Sequence, residues 1–188
     1  MNGESPQRCI LLTGATGFLG TQIVRRLLNE PNLTIITLVR AENQAAAAHR
    51  LSRSWWEWPE LIAALAPDSA SANGKGGSVA SAGSGNAAGM RIEIISGDVS
   101  LPHLGLGEAT FSRIAGRITY IIHAAADLRV NAPVRELRRT NFHGTANMLE
   151  LARLAMHHHK LKRYAHVSTA YVAGRRSGVI SESDLSGE

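Results

Sequence analysis

The 188-residue chain holds one cysteine, Cys9, so no disulfide can close within it, and a reducing, cytoplasmic setting is the expectation. Cys9 sits inside an apolar run and reads as a small buried side chain rather than a reactive thiol. No apolar run approaches the roughly 18–20 residues that a membrane span needs. The N-terminus, Met1-Asn2-Gly3-Glu4-Ser5-Pro6, has no basic stretch leading into a long apolar one, so no secretion signal is read there. Aromatic residues make up only 5% of the chain and do not interleave with the basic clusters at 25–26, 135–139, 160–163 and 175–176. The net charge of +5 therefore does not read as a nucleic-acid surface, and an anionic dinucleotide explains local positive charge more economically. Metal is not expected either. In His157-His158-His159, consecutive helix residues point about 100° apart and cannot converge on one ion. No internal repeat is present.

What the chain does have is alternation. Cys9-Ile10-Leu11-Leu12 is too short for a helix and ends at Thr13-Gly14, as a buried strand does. Gly17 to Asn29 carries Leu19, Ile23, Val24, Leu27 and Leu28 at helical spacing. Leu33 to Val39 is a second strand. Residues 43–66 read as mainly helical, with an interruption at Pro59. Further strands are expected at 91–95, 118–122 and 164–168, and a long helix at about 133–158. Such alternation assembles naturally as an α/β, doubly wound parallel sheet.

Between about 67 and 90 the sequence is almost entirely Ser, Ala, Gly and Asn, a composition that cannot bury a core. Gly74-Lys75-Gly76-Gly77 lacks both the spacing and the preceding strand of a phosphate loop. The segment reads as a flexible insertion in one domain, residues 1–188. Replacing 68–88 by a short Gly-Ser link should leave the melting midpoint and cofactor affinity nearly unchanged, because loop closure costs only about 0.6 kcal/mol per doubling of length. A thermal melt and a titration check this.

The strongest chemical signal is Thr13-Gly14-Ala15-Thr16-Gly17-Phe18-Leu19-Gly20, which opens a helix directly after a buried strand. Gly14 permits a tight turn, Gly17 lets backbone approach a pyrophosphate, and Gly20 lets helix and sheet pack closely. The free N–H groups of the helix start then face the phosphates. At the end of the second strand stands Arg40, where an NAD site places an acid for the ribose 2′-hydroxyl. Arginine suits a 2′-phosphate, so NADP is expected, with NAD as the alternative.

Thr-Gly-x-x-Gly-x-x-Gly resembles the extended short-chain dehydrogenase/reductase superfamily, and further pieces follow in order. Gly97-Asp98-Val99, His123-Ala124-Ala125-Ala126, Asn141-x-x-Gly144-Thr145 and His166-Val167-Ser168-Thr169-Ala170-Tyr171-Val172 are each similar to a superfamily motif. The resemblance implies a Rossmann sheet in the order 3-2-1-4-5. It implies that Thr13, Gly14, Thr16, Gly17, Phe18, Leu19 and Gly20 bind the phosphates. By the same resemblance Asp98 and Val99 lie beside the adenine, and His123, Ala124 and Ala125 beside the riboses. It also places a catalytic hydroxyl on Thr169, with Ser168 as runner-up, and makes Asn141 the catalytic-site asparagine.

The superfamily's Tyr-x-x-x-Lys pair is absent: Tyr120, Tyr164 and Tyr171 are followed four residues on by Ala124, Ser168 and Arg175. The chain accordingly reads as the N-terminal piece of a larger enzyme, without the C-terminal part of the fold. Leu38-Val39-Arg40, Leu104-Gly105-Leu106 and Val167-Ser168-Thr169-Ala170-Tyr171-Val172 together resemble the fatty-acyl and thioester reductase (male-sterility-type) group. That group implies NADPH-dependent reduction of an acyl thioester, carried on coenzyme A or a carrier protein, to an aldehyde or alcohol. A sugar-nucleotide epimerase or dehydratase shares most of these motifs, and a catalytically silent NADP-binding domain is the reading outside enzymes. Pairing of two copies through the long helices is a further implication of the resemblance.

Overall fold

The structure, a computed structural model, describes residues 8–65, 92–158 and 160–184. The insertion expected at about 67–90 lies outside the described residues. Five strands form one parallel sheet: β1 (Arg8–Thr13), β2 (Leu33–Val39), β3 (Ile92–Ser96), β4 (Tyr120–His123) and β5 (Arg163–His166), in the order β3-β2-β1-β4-β5. Between them run α1 (Phe18–Leu27), α2 (Gln44–Ser54), α3 (Pro59–Leu65), α4 (Glu108–Ala115), α5 (Val134–Arg138) and α6 (Gly144–His157). This is the doubly wound Rossmann order that the sequence led us to expect.

Strand alternation builds a core on each face. Leu11, Ile36, Leu38 and Ile121 pack with Phe111 and Ile114 of α4 and with Met148 and Leu151 of α6. Ile10, Leu12, Ile35 and Val39 pack on the opposite face with Val24 of α1, Leu51 of α2, Leu61 of α3 and the fully buried Trp55. Because β1 pairs with both β2 and β4, chain direction around the sheet reverses at β1, and the carboxyl ends of β1 and β4 open a crevice there.

The helical stretch does break ahead of Pro59, as expected: α2 ends at Ser54 and Pro59 is the first residue of α3, a place where its missing N–H costs nothing. Other boundaries differ from the sequence reading. β4 begins at Tyr120 and not at Ile118. The Ile118 amide still bonds back to the Ile114 carbonyl, and Thr119 exchanges side-chain hydrogen bonds with the Cys9 backbone. The long helix spans Val134–His157 as expected but contains a π turn at Arg139–His143. β5 stops at His166, so Ser168 and Thr169 lie beyond the strand rather than ending it.

Candidate cofactor site

The phosphate turn is built from backbone. Gly14 has φ +80°, and its carbonyl accepts the Gly17 amide at 3.0 Å. Gly20 packs so tightly beneath the turn that a Cβ there would sit 2.1 Å from the Gly14 oxygen. Gly17 differs: the nearest atom to a Cβ there is the Gly14 oxygen at 3.4 Å, so its open side belongs to the cleft. Gly17 is also the N-cap of α1 and supplies no side-chain cap, which leaves the first-turn N–H groups for a ligand. A pyrophosphate fits this cradle on the observation that only glycine leaves room for it. Trp55 adds a support: its indole N–H donates to the Ala15 carbonyl at 3.0 Å.

An open cleft of about 900 Å³ runs along the carboxyl ends of the strands. The structure brings Gly14, Thr16, Gly17, Phe18, Leu19, Gly20, Arg40, Asp98, Val99, Ala124 and Ala125 together along its wall. Thr13 and His123, also expected at the site, are buried behind the wall and do not line it. Asn141, Ser168 and Thr169 do not line it either. Asn141 is engaged elsewhere: its Oδ1 accepts the Asp127 amide at 2.8 Å and its Nδ2 donates to the Asp127 carbonyl at 3.0 Å, so it clamps the loop after β4.

At one end of the cleft the Arg40 side chain is exposed at the tip of β2, and Arg50 of α2 donates to the Arg40 carbonyl at 2.7 Å. Both arginines line the cleft. Asp98 turns Oδ1 toward the Ser100 amide at 2.8 Å, and its own amide donates to the Leu104 carbonyl at 2.8 Å. Leu104 reaches that position with φ +61°, a left-handed conformation that costs a non-glycine residue about 1–3 kcal/mol. Asn147 of α6 donates to the Val99 and Leu101 carbonyls, fixing the same turn from behind. Arg50, Asn147 and Trp55 went unnoticed in the sequence, because each contact spans 10 to 48 positions.

Titratable groups near the cleft are strongly shifted, among them Asp127 and His123. Hydrogen bonds from Arg129 hold the Asp127 carboxyl down at about 2. Burial, and then the facing His166, push the His123 imidazole down to about 4. A neutral native His123 binds fewer protons than the unfolded chain between about pH 4 and 6.5. Stability therefore falls as pH drops through that window. Asp127 contributes only at lower pH, since its stabilising effect is lost as pH falls from about 3.8 toward 2. We expect the melting midpoint to decline between pH 7 and 4.5, and His123→Asn to flatten that decline; pH-resolved thermal melts measure both.

Residues 12–187 match the family described as Male sterility protein, an NAD-binding domain family. The chain belongs to that family. It is 36% identical over 178 residues to isonitrile lipopeptide synthase of Mycobacterium tuberculosis, covering 90% of this chain and 6% of that protein. Carboxylic acid reductase of Mycobacterium marinum is 33% identical over 173 residues, covering 88% of this chain and 12% of the reductase. Among solved structures, the terminal R domain of the myxalamid PKS-NRPS pathway superposes with TM-score 0.71 at 30% identity, covering 96% of this chain and 41% of that one. The chain thus spans less than half of each of these relatives. The male-sterility family and the Rossmann order expected from the motifs are both met. Among the described residues, no helix is long and apolar enough to cross a membrane.

Proposed function

We propose that this chain is the NADP(H)-binding part of an enzyme that reduces an acyl thioester, held on a carrier protein or coenzyme A, to an aldehyde or alcohol. The observation that carries the cofactor is Arg40. It stands at the tip of β2 with its carbonyl braced by Arg50, and both residues line the cleft where an NAD site needs an acid. A 2′-phosphate neutralises that pair of cations, while a bare ribose leaves them unmatched. The thioester substrate is supported by the relatives, among them a carboxylic acid reductase and a synthase of lipopeptides.

Bound in this cleft, NADPH would supply the hydride that, with one proton, converts a thioester into an aldehyde and a free thiol. This chain's own residues do the remaining work. The first turn of α1 and the glycine cradle would hold a pyrophosphate, Asp98 and Val99 the adenine end, and the Ala124–Ala125 backbone the riboses. The Thr169 hydroxyl serves the substrate oxygen, and the Asn141 clamp keeps the 124–127 loop in place.

Calorimetric titration tests the cofactor assignment. NADP(H) should bind more tightly than NAD(H), and Arg40→Asp should weaken NADP(H) roughly 10- to 100-fold, as expected for loss of charge-assisted hydrogen bonds worth about 1.5–3 kcal/mol. Equal affinities in the unaltered chain, or no change of preference on substitution, would overturn it.

A further inference from the structure

His123 stands between two threonine hydroxyls with one proton each, so the protons can be assigned. Thr145 Oγ1 lies 2.8 Å from the Asn141 carbonyl, which can only accept, and its proton is committed there. Thr145 therefore meets His123 Nε2, at 3.4 Å, as an acceptor, and the ring proton sits on Nε2. Nδ1 is then a bare acceptor, and Thr13 Oγ1, 2.7 Å away, donates to it. Thr13 Oγ1 in turn accepts the Ala125 amide at 3.1 Å. The other tautomer fails at both ends. It strands the Thr13 proton among the described partners, and it asks one Thr145 proton to serve two acceptors.

The hydrogen bonds run in one direction, from the Ala125 N–H through Thr13, His123 and Thr145 to the Asn141 carbonyl, crossing from β1 through β4 to the π turn ahead of α6. Asn141 also clamps Asp127, so the 124–127 loop is gripped at both ends by one network. The loop's height matters to the cleft. A Cβ on Gly14 would stand 2.6 Å from the Ala124 backbone, so the loop rests directly on the phosphate turn. The titratable group facing the ring is His166 of β5, stacked on it at 5.2 Å between centroids, while β1 and α6 meet it through the hydroxyls of Thr13 and Thr145.

We propose that His123, in its Nε2–H form, is a positioning residue that sets the Ala124–Ala125 backbone against the phosphate turn and ties it to the Asn141 helix. The effect on cofactor affinity rests on the NADP(H) reading above, whereas the hydrogen-bond chain itself does not.

Two-bond ¹H–¹⁵N NMR correlations on the histidine rings of the full chain at pH 7 should show Nε2 protonated and Nδ1 bare at His123; the reverse pattern, or a fast average of the two, overturns the proposal. Thr145→Val cuts the far link without touching the cleft wall. It should raise the NADP(H) dissociation constant about five- to tenfold, since the Thr145 links to both His123 and Asn141 are lost, and Thr145→Ser should restore it to within about twofold. Unchanged affinity in Thr145→Val overturns the positioning role. If that variant also melts earlier, amide exchange decides: acceleration confined to Ala125 supports the chain, and acceleration shared by Ile122 in β4 overturns it. A chain that binds no NADP(H) sinks the cofactor reading, while the tautomer and the Ala125 exchange still judge the hydrogen-bond chain.

Discussion

Gly20→Ala should lower the melting midpoint by about 6–12 °C, the shift expected for roughly 3 kcal/mol in a domain of this size. The new methyl meets backbone rather than a yielding side chain: the Gly14 oxygen at 2.1 Å, the Gly14 carbonyl carbon at 2.7 Å and the Ala15 Cα at 2.9 Å. Relief requires α1 to move away from the end of β1. That in turn disturbs Thr21, whose hydroxyl bonds the Gly17 and Ala15 carbonyls. Gly17→Ala is the informative control. Its methyl has space within the protein, and alanine at a helix N-cap costs no more than about 1 kcal/mol relative to glycine. The chain should stay folded and lose cofactor affinity, because the methyl occupies the ligand's side of the turn. Differential scanning calorimetry with titration separates the two. A Gly20→Ala chain melting within 2 °C of the unaltered one, or a Gly17→Ala chain with undiminished affinity, contradicts this division of labour.

The same contrast explains what the sequence disclosed. The phosphate turn was legible because its demands fall on consecutive residues and are met by glycine alone, so spacing betrays it. β1 and β2 were legible because strands buried on both faces are written as unbroken apolar runs. β5 was harder. Arg163, Ala165 and His166 are exposed, so no clean pattern marks where the strand stops, and its end was placed two residues late. The network behind the cleft was invisible for a different reason: Thr13 and His123 are 110 positions apart, and Trp55 and Ala15 are 40 apart. Nothing local to either partner announces the contact. Nor does any residue pattern announce the π turn at Arg139–His143, although it surrounds Asn141. Sequence therefore located the glycine turn whose geometry suits a pyrophosphate, and was silent on the residues that hold that turn in place.

Thr169→Ala should reduce turnover with an acyl thioester about 10²- to 10³-fold and change the NADP(H) dissociation constant less than twofold. The measurement belongs in a form of the protein that carries the Tyr-x-x-x-Lys pair, which the reductase reading requires and these 188 residues do not contain. Thr169 lies three residues past the carboxyl end of β5, and the cleft runs along the carboxyl ends of the neighbouring parallel strands. Its Oγ1 accepts the Tyr171 amide at 3.2 Å, capping the short turn Ala170–Ala173. One lone pair is thereby engaged, and among the described residues no acceptor takes the hydroxyl proton. That suits an oxygen on which negative charge grows as hydride arrives, an interaction stronger in the transition state than in the ground state. Because Thr169 does not line the cleft, its loss should fall on kcat rather than on cofactor binding. Thr169→Ser retains the hydroxyl and should keep most of the activity, whereas loss of the cap alone predicts only a small drop in stability. Ser168→Ala should cost less than tenfold. If Ser168→Ala produces the large loss and Thr169→Ala does not, the donor role passes to Ser168. If neither variant slows turnover, the substrate oxygen is served by a group outside this stretch.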